Sequence, residues 1–275
     1  MPHHRKGTVL VTGANSGIGL ATSIALAKRG FHAVGSVRTR DKARAVREAA
    51  AEAGVEVRTV LLDVTDEEAC ERVVRRLRPY GLVNNAGYSY GGAVEDVSDA
   101  EARRLLETLT VAPMRLARLA LPGMRASGGG RIVNVSSIYG LTTTPLTGWY
   151  QASKHALEGV SDALRMEVAR DGIKVVLVEP GGFDTGIWEG NAAVLARHAG
   201  SRYASAYERE LTLTRLGRPF LGRPEQVARV IAGAVDSRSP RARYLVGRDA
   251  QLLSLASDFA PTGIRDRVTR LTMGL

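Results

Sequence analysis

Gly7-Thr8-Val9-Leu10-Val11-Thr12-Gly13-Ala14-Asn15-Ser16-Gly17-Ile18-Gly19, running into Leu20-Ala21-Thr22-Ser23-Ile24-Ala25-Leu26-Ala27-Lys28-Arg29-Gly30, is the stretch that decides the fold. Its opening residues are short, apolar and β-branched, which reads as a buried strand. Its closing residues carry a helix pattern stopped by Gly30. Between them the glycines are spaced GxxxGxG rather than GxGxxG. Glycines permit a tight turn and let the backbone approach a pyrophosphate, and the helix N-terminus adds free N–H groups and the positive end of its dipole. Strand, glycine-rich turn and helix in this order form the context of a dinucleotide site. A ligand-free βα turn is the plainer reading of the loop taken alone.

Working outward, strands and helices alternate. Strands are expected at Thr8–Val11, His32–Val37, Glu56–Leu62, Gly81–Asn84, Arg131–Val135, Lys174–Val178 and Tyr244–Val246. Helices are expected at Lys42–Ala53, Glu67–Arg78, Ala100–Arg125, Tyr150–Arg170 and Pro224–Asp236. This pattern predicts an α/β chain with a doubly wound, mostly parallel seven-stranded sheet flanked by helices, in the order 3-2-1-4-5-6 plus a seventh strand. No linker, repeat or low-complexity tract divides residues 1–275, so a single domain is expected. Ligands in such sheets sit beyond the carboxyl ends of the strands. Thr12–Gly19, Arg38, Asp63, Asn84–Gly87 and Ser136–Ser137 all fall there.

Further along, Trp149-Tyr150-Gln151-Ala152-Ser153-Lys154 places a phenol and an ammonium four residues apart, on one face of a helix. A cation beside a tyrosine favours the phenolate, so a pKa below the usual value of about 10 is expected. Such a phenol exchanges protons with an alcohol or carbonyl near neutral pH. Tyr and Lys at this spacing also occur by chance on many helices.

Thr12–Gly19, Asn84-Asn85-Ala86-Gly87, Ser137, Tyr150-Gln151-Ala152-Ser153-Lys154 and Pro180-Gly181 occur in the order and spacing of the short-chain dehydrogenase/reductase family, which the chain resembles over about residues 7 to 190 and more loosely beyond. The resemblance implies a Rossmann fold. It also implies that Tyr150 is general acid in reduction and base in oxidation, that Lys154 lowers its pKa and bonds the nicotinamide ribose, and that Ser137 polarises the substrate oxygen. Ser136 is expected to be structural and His155 has no role. For the cofactor it implies a pyrophosphate cradle at Gly13, Asn15, Ser16, Gly17, Ile18 and Gly19. Asp63 and Val64 are expected at the adenine, and Asn85, Ala86 and Gly87 beside the cofactor. Pro180, Gly181, Phe183 and Thr185 are expected at the nicotinamide amide.

The end of the second strand, Val34-Gly35-Ser36-Val37-Arg38-Thr39-Arg40, carries no acid to accept from an NAD ribose. Val37 stands where the family's NAD enzymes have aspartate, and Arg38 suits a 2′-phosphate. NADP(H) is therefore the expected cofactor, with Arg40 assisting.

One departure concerns the long fourth helix. In Glu107-Thr108-Leu109-Thr110-Val111-Ala112-Pro113, Leu109 falls where the family has an asparagine whose main-chain carbonyl holds a relay water. Pro113 lacks the N–H that would bond the Leu109 carbonyl, so it either frees that carbonyl for the relay or simply kinks the helix around a core leucine.

Residues 186–219 should form a lid over the substrate. Trp188, Tyr203, Tyr207, Tyr88 and Tyr90 are candidates to line an apolar pocket, ordinary packing being the alternative. Arg241–Gly247 loosely resembles the hydroxysteroid and retinol dehydrogenase branch.

The net charge of +10 rests almost wholly on scattered arginines. Without a nucleic-acid motif or interleaved aromatics, nucleic-acid binding is not expected. No apolar stretch reaches the length of a membrane span. The N-terminal residues do not read as a signal peptide. Cys70 is the only cysteine, which excludes an internal disulfide and suits a reducing cytoplasm. Five histidines without clustered Cys/His spacing give no metal site, and His3 and His4 read as a solvated terminus.

The expected activity is that of an NADPH-dependent ketoreductase or alcohol dehydrogenase on a small carbonyl or hydroxyl substrate, apolar and steroid-, retinoid- or polyketide-like. A redox-neutral epimerase or cyclase, or a non-catalytic NADP(H)-binding regulator, stays open. The resemblance implies a homodimer or homotetramer.

Overall fold

The computed structural model describes residues 6–198, 200–251, 253 and 261–275; His3 and His4 lie outside them. Seven strands form one parallel sheet: β1 (Lys6–Val11), β2 (Phe31–Val37), β3 (Arg58–Leu61), β4 (Gly81–Asn84), β5 (Gly130–Val135), β6 (Ile173–Pro180) and β7 (Arg243–Val246). Their order is β3-β2-β1-β4-β5-β6-β7, as expected. After β3 the chain returns to the far side of β1, so the crossovers diverge between β1 and β4 and open a crevice at their carboxyl ends.

Alternation along each strand feeds two cores. Val9 and Val11 of β1 pack with Val133, Val176, Leu26, Val46, Val227 and Ile231. These include residues of α1 (Gly17–Lys28), α2 (Arg40–Glu52) and α9 (Pro224–Asp236). Leu10 faces the other way, with Leu82, Ile132, Val73, Val74, Leu116 and Ala120. The last four come from α3 (Glu67–Leu77) and α5 (Ala112–Ala126). Both faces are thereby covered, as a parallel sheet requires.

Element ends fall within three residues of expectation, and coincide for β4 and α9, but one helix differs in kind. The expected helix Ala100–Arg125 is three pieces: α4 (Asp99–Leu106), a π-helical turn Glu107–Val111, and α5. The Ala112 N–H donates to the Glu107 carbonyl, one residue beyond the α-helical partner. Pro113, next in line, has no N–H, so nothing draws the ladder back to four-residue spacing at that point.

Helix α6 (Gly148–Glu167) carries Tyr150 and Lys154. The expected lid is two helices, α7 (Ile187–Leu195) and α8 (Ala204–Gly217), with short 3₁₀ turns. The C-terminal helix α10 (Thr262–Met273) contacts α8. Among the described residues, no helix is long and apolar enough to cross a membrane, and no cluster of His, Cys, Asp and Glu could hold a metal ion.

Candidate active site

A cleft of about 560 Å³ opens at the carboxyl ends of β1 to β4. Gly13, Asn15, Ser16, Gly17, Ile18 and Gly19 form one wall. Gly13 (φ 65°) and Gly17 (φ 51°) need the left-handed backbone that only glycine adopts freely. A Cβ on Gly13 would also stand 2.8 Å from Ala86 Cα. Ser16 precedes α1, but its side chain makes no capping bond and the first turn carries no acid. The N–H groups of that turn are therefore free to meet an anion.

Thr12 has a role that no local pattern in the sequence marks. Its Oγ1 accepts the main-chain N–H of Asn85 and of Ala86, both at 2.9 Å. The Asn85 amide donates back to the carbonyls of Thr12 (2.9 Å) and Gly13 (3.2 Å). Two strand ends are thus locked together, and Asn85, Ala86 and Gly87 face the cleft. Asn84 points the other way. Its amide donates to Asn134 Oδ1 at 2.8 Å and to the Pro113 carbonyl at 3.2 Å, which joins β4, β5 and α5.

At the end of β2, Arg38 lines the cleft as expected. The second cation there is Lys42, not Arg40. Thr39 caps α2 by accepting from the Lys42 N–H at 3.3 Å, so the helix begins earlier than the sequence suggested and its first turn presents Lys42. Val64 and Asp63 also line the cleft. The Thr65 main-chain N–H and hydroxyl bond Asp63 Oδ1 at 3.0 and 2.7 Å. The main-chain bond from Thr65, ahead of burial, which acts oppositely, holds Asp63 below the usual carboxylate range. The cap of α3 is Asp66, accepting from the Ala69 N–H at 2.9 Å.

Beyond β6 the expected residues separate. Thr185 lines the cleft beside Gly17. Pro180, Gly181 and Phe183 do not. Pro180 pairs with Val246 in the sheet. Gly181 lies against the Asp249 carboxylate. Phe183 is buried in the core, its carbonyl accepting from Trp188 Nε1 at 2.7 Å. An aromatic ring without a polar tip is drawn into the core whatever its neighbours in sequence do. Of the lid aromatics, Tyr203 and Tyr207 are packing residues. Tyr207 is buried and bonds Asp96 Oδ2 at 2.5 Å, while its oxygen accepts the Ala93 N–H at 2.8 Å. Tyr88 and Tyr90 do line the cleft, with Arg104 and Arg197, which sequence reading did not single out.

Ser137, at the end of β5, and Tyr150 and Lys154, on α6, come together as expected, each less than a tenth exposed. They do not themselves line the cleft. Tyr150 packs with Leu105 and Leu109, and Tyr88 and Tyr90 of the cleft wall pack against the same cluster. The Lys154 ammonium donates to the Val135 carbonyl at 2.8 Å and stands 5.8 Å from the centre of the Tyr150 ring. Burial pushes the Tyr150 phenol up to about 12, and the Ser137 hydrogen bond pulls against it. Burial likewise pushes Lys154 down to about 8, with Glu158 opposing. The expected acidified phenol is thus not the state of this protein alone, where desolvation of the phenolate wins over any help from the lysine.

A family model described as short chain dehydrogenase matches residues 7–194. The chain belongs to this family. The uncharacterized oxidoreductase YusZ of Bacillus subtilis (strain 168) is 36% identical over 265 residues, spanning 93% of this chain and 94% of that protein. A short-chain dehydrogenase from Streptomyces avermitilis has a crystal structure matching with a TM-score of 0.76 at 34% identity, over 96% of this chain and 97% of that one. A variant of actinorhodin polyketide ketoreductase, crystallised with NADPH, matches with a TM-score of 0.74 at 30% identity, over 89% and 96% of the two chains. The protein is accordingly a short-chain dehydrogenase/reductase oxidoreductase. Leu109, at the position where the family resemblance puts asparagine, is 2% exposed and packs against Tyr150.

Proposed function

We propose that this short-chain dehydrogenase is an NADPH-dependent ketoreductase or alcohol dehydrogenase for an apolar substrate. The observation that carries the reading is the meeting of Ser137, Tyr150 and Lys154 beside a cleft whose β2 end offers Arg38 and Lys42 and no carboxylate.

The residues present fit a phosphorylated dinucleotide. The uncapped first turn of α1 suits its pyrophosphate. Arg38 and Lys42 suit a 2′-phosphate, and the structural relative holding NADPH supports the same choice. When bound, the reduced nicotinamide would supply the hydride.

The chain's own residues would supply the rest. With its pKa near 12, Tyr150 holds its proton at neutral pH and is set to give it to the substrate oxygen in reduction. Ser137, whose hydroxyl lies beside the phenol and favours its ionised form, would share that oxygen. Lys154, near 8, is mostly an ammonium at pH 7 and favours the phenolate left behind. Tyr88, Tyr90, Ile187 and Val194 give the cleft an apolar flank, which suits an apolar substrate. Exposed Val160 and Met166 on α6 are consistent with pairing of subunits through that helix.

The test is loss of NADPH absorbance against a panel of cyclic and long-chain ketones. Consumption of NADPH with at least one ketone, and much slower use of NADH, is expected. Tight binding of NADPH without consumption would show a regulator, and substrate conversion without net consumption would show an epimerase.

A further inference from the structure

Behind Lys154, away from the cleft, lies a partly buried charge cluster that the proposed chemistry does not use. Glu158 is one helical turn beyond Lys154 on α6 and its side chain is 8% exposed. Arg243, from β7 at the sheet edge, pairs with Glu158, with Asp162 a further turn along, and with Glu179 of β6 at 2.9 Å. Arg165 also bonds Asp162, at 3.0 Å. Three carboxylates therefore share one guanidinium. Burial raises the Glu179 pKa, and Glu158 beside it raises it further. Burial alone would lower Arg243; its bonds to Glu158 and Glu179 outweigh that and raise it.

The bonding is unequal. Only Oε2 of Glu158 meets Arg243. Oε1 is buried with no hydrogen-bond partner among the described residues, and so is Ser136 Oγ at the end of β5. A Cβ on Gly140 would stand 3.2 Å from Glu158 Oε1 and 2.7 Å from Ser136 Oγ, so these two atoms lie within about 6 Å of each other. A buried carboxylate oxygen without a donor is costly. Lys154 and Glu158 stand four residues apart on one face of α6, both buried, and the two side chains interact electrostatically. On the opposite side Leu109 gives this region no polar side chain.

We propose that Glu158, held in place by Arg243, is a positioning residue for Lys154, keeping it an ammonium in its buried place beside Tyr150. Catalytic use of that ammonium rests on the proposed function; its charge state does not. The groups facing Glu158 are Lys154 and Asp162 on its own helix, Glu179 on β6 and Arg243 on β7. Arg243 fixes the carboxylate, and Glu158 one helical turn away favours the charged form of Lys154. The arrangement lets a lysine stay charged without a direct carboxylate bond, which would keep its N–H groups from other acceptors.

The test is a titration of Lys154 in the cofactor-free protein, followed by NMR of the side-chain nitrogen in lysine-labelled material. Lysine occurs only at Lys6, Lys28, Lys42, Lys154 and Lys174, so the signals are few. Glu158→Gln should move the Lys154 titration to lower pH by about one unit. Arg243→Gln, which leaves Glu158 crowded by Asp162 and Glu179 with no cation to hold it, should move it to lower pH as well, while Arg243→Lys should leave it near wild type. In the pH profile of NADPH consumption the alkaline limb should follow the same order. A merely structural role would lower melting temperature in these variants without moving the Lys154 titration, and an unmoved titration in whichever of the Gln variants folds overturns the proposal. If the titration moves but wild type consumes no NADPH with any carbonyl compound, the reading of the reaction fails and the Glu158 inference stands.

Discussion

The Lys154 ammonium is tied to the Val135 main-chain carbonyl at 2.8 Å, which fixes α6 against the carboxyl end of β5. The tie holds the ammonium in a place where burial works against its charge. The folded lysine loses its proton near 8, an unfolded one near 10.5. Between those values the unfolded chain binds more protons, so stability should rise with pH across the window and level off above it. Below about 8 the full cost of the buried charge is present, on the order of 3 kcal/mol. Lys154→Met removes that cost and loses one hydrogen bond, worth about 1 kcal/mol. Urea melts should find Lys154→Met more stable than wild type at pH 7, with the advantage shrinking toward pH 10. A variant less stable at pH 7 would show the charge to be well compensated.

Arg38 and Lys42 give the second prediction. A charge-assisted bond to a phosphate is worth about 1.5–3 kcal/mol. Arg38→Ala should weaken NADPH binding by roughly ten- to a hundredfold, by the tenfold-per-1.4 kcal/mol rule. Lys42→Ala should weaken it in the same direction, and neither should change NADH binding much. Fluorescence titration with both cofactors checks this. Equal losses for NADPH and NADH would place these cations elsewhere than at a 2′-phosphate.

Much of this site could be read from local patterns. Gly13, Gly17, Gly19 and Asn85–Gly87 follow strand ends that the alternation marks, and helix α9 spans Pro224–Asp236, as expected. Other features depend on contacts between residues far apart in sequence. Thr12 acts on Asn85 and Ala86 across the sheet. Arg243 gathers Glu158 and Glu179 from two other elements. The inward turn of Phe183 depends on core space that only the fold defines. The choice of Lys42 over Arg40 hangs on where α2 starts, a boundary set by the Thr39 cap. The π-helical turn was signalled by Pro113, but proline predicts an interruption without saying of which kind.

Thr12→Val gives the third prediction. Valine fills the same space but leaves the Asn85 and Ala86 N–H groups without an acceptor. Each of these half-buried groups costs about 1–2 kcal/mol when left unsatisfied, the lower part of the usual range. The variant should lose roughly 2–4 kcal/mol by denaturant melts and bind NADPH more weakly, because Asn85 and Ala86 border the cleft. Wild-type stability would mean that water replaces the hydroxyl at both groups.

Pro113→Ala gives the fourth. Alanine restores the N–H opposite the Leu109 carbonyl, so the helix can tighten and shift Leu109, which packs against Tyr150. Turnover should fall about tenfold, since small displacements at a reacting centre are costly. The NADPH dissociation constant should hardly move. Unchanged turnover would reduce Pro113 to a simple helix interruption.

The most direct measurement is the turnover of Tyr150→Phe beside wild type, with NADPH affinity measured on both. Loss of the phenol should cost about a hundred- to ten-thousandfold in kcat at pH 7, while the dissociation constant for NADPH stays within a few-fold of wild type. A Tyr150→Phe enzyme that reduces ketones at the wild-type rate would show that the proton comes from another group.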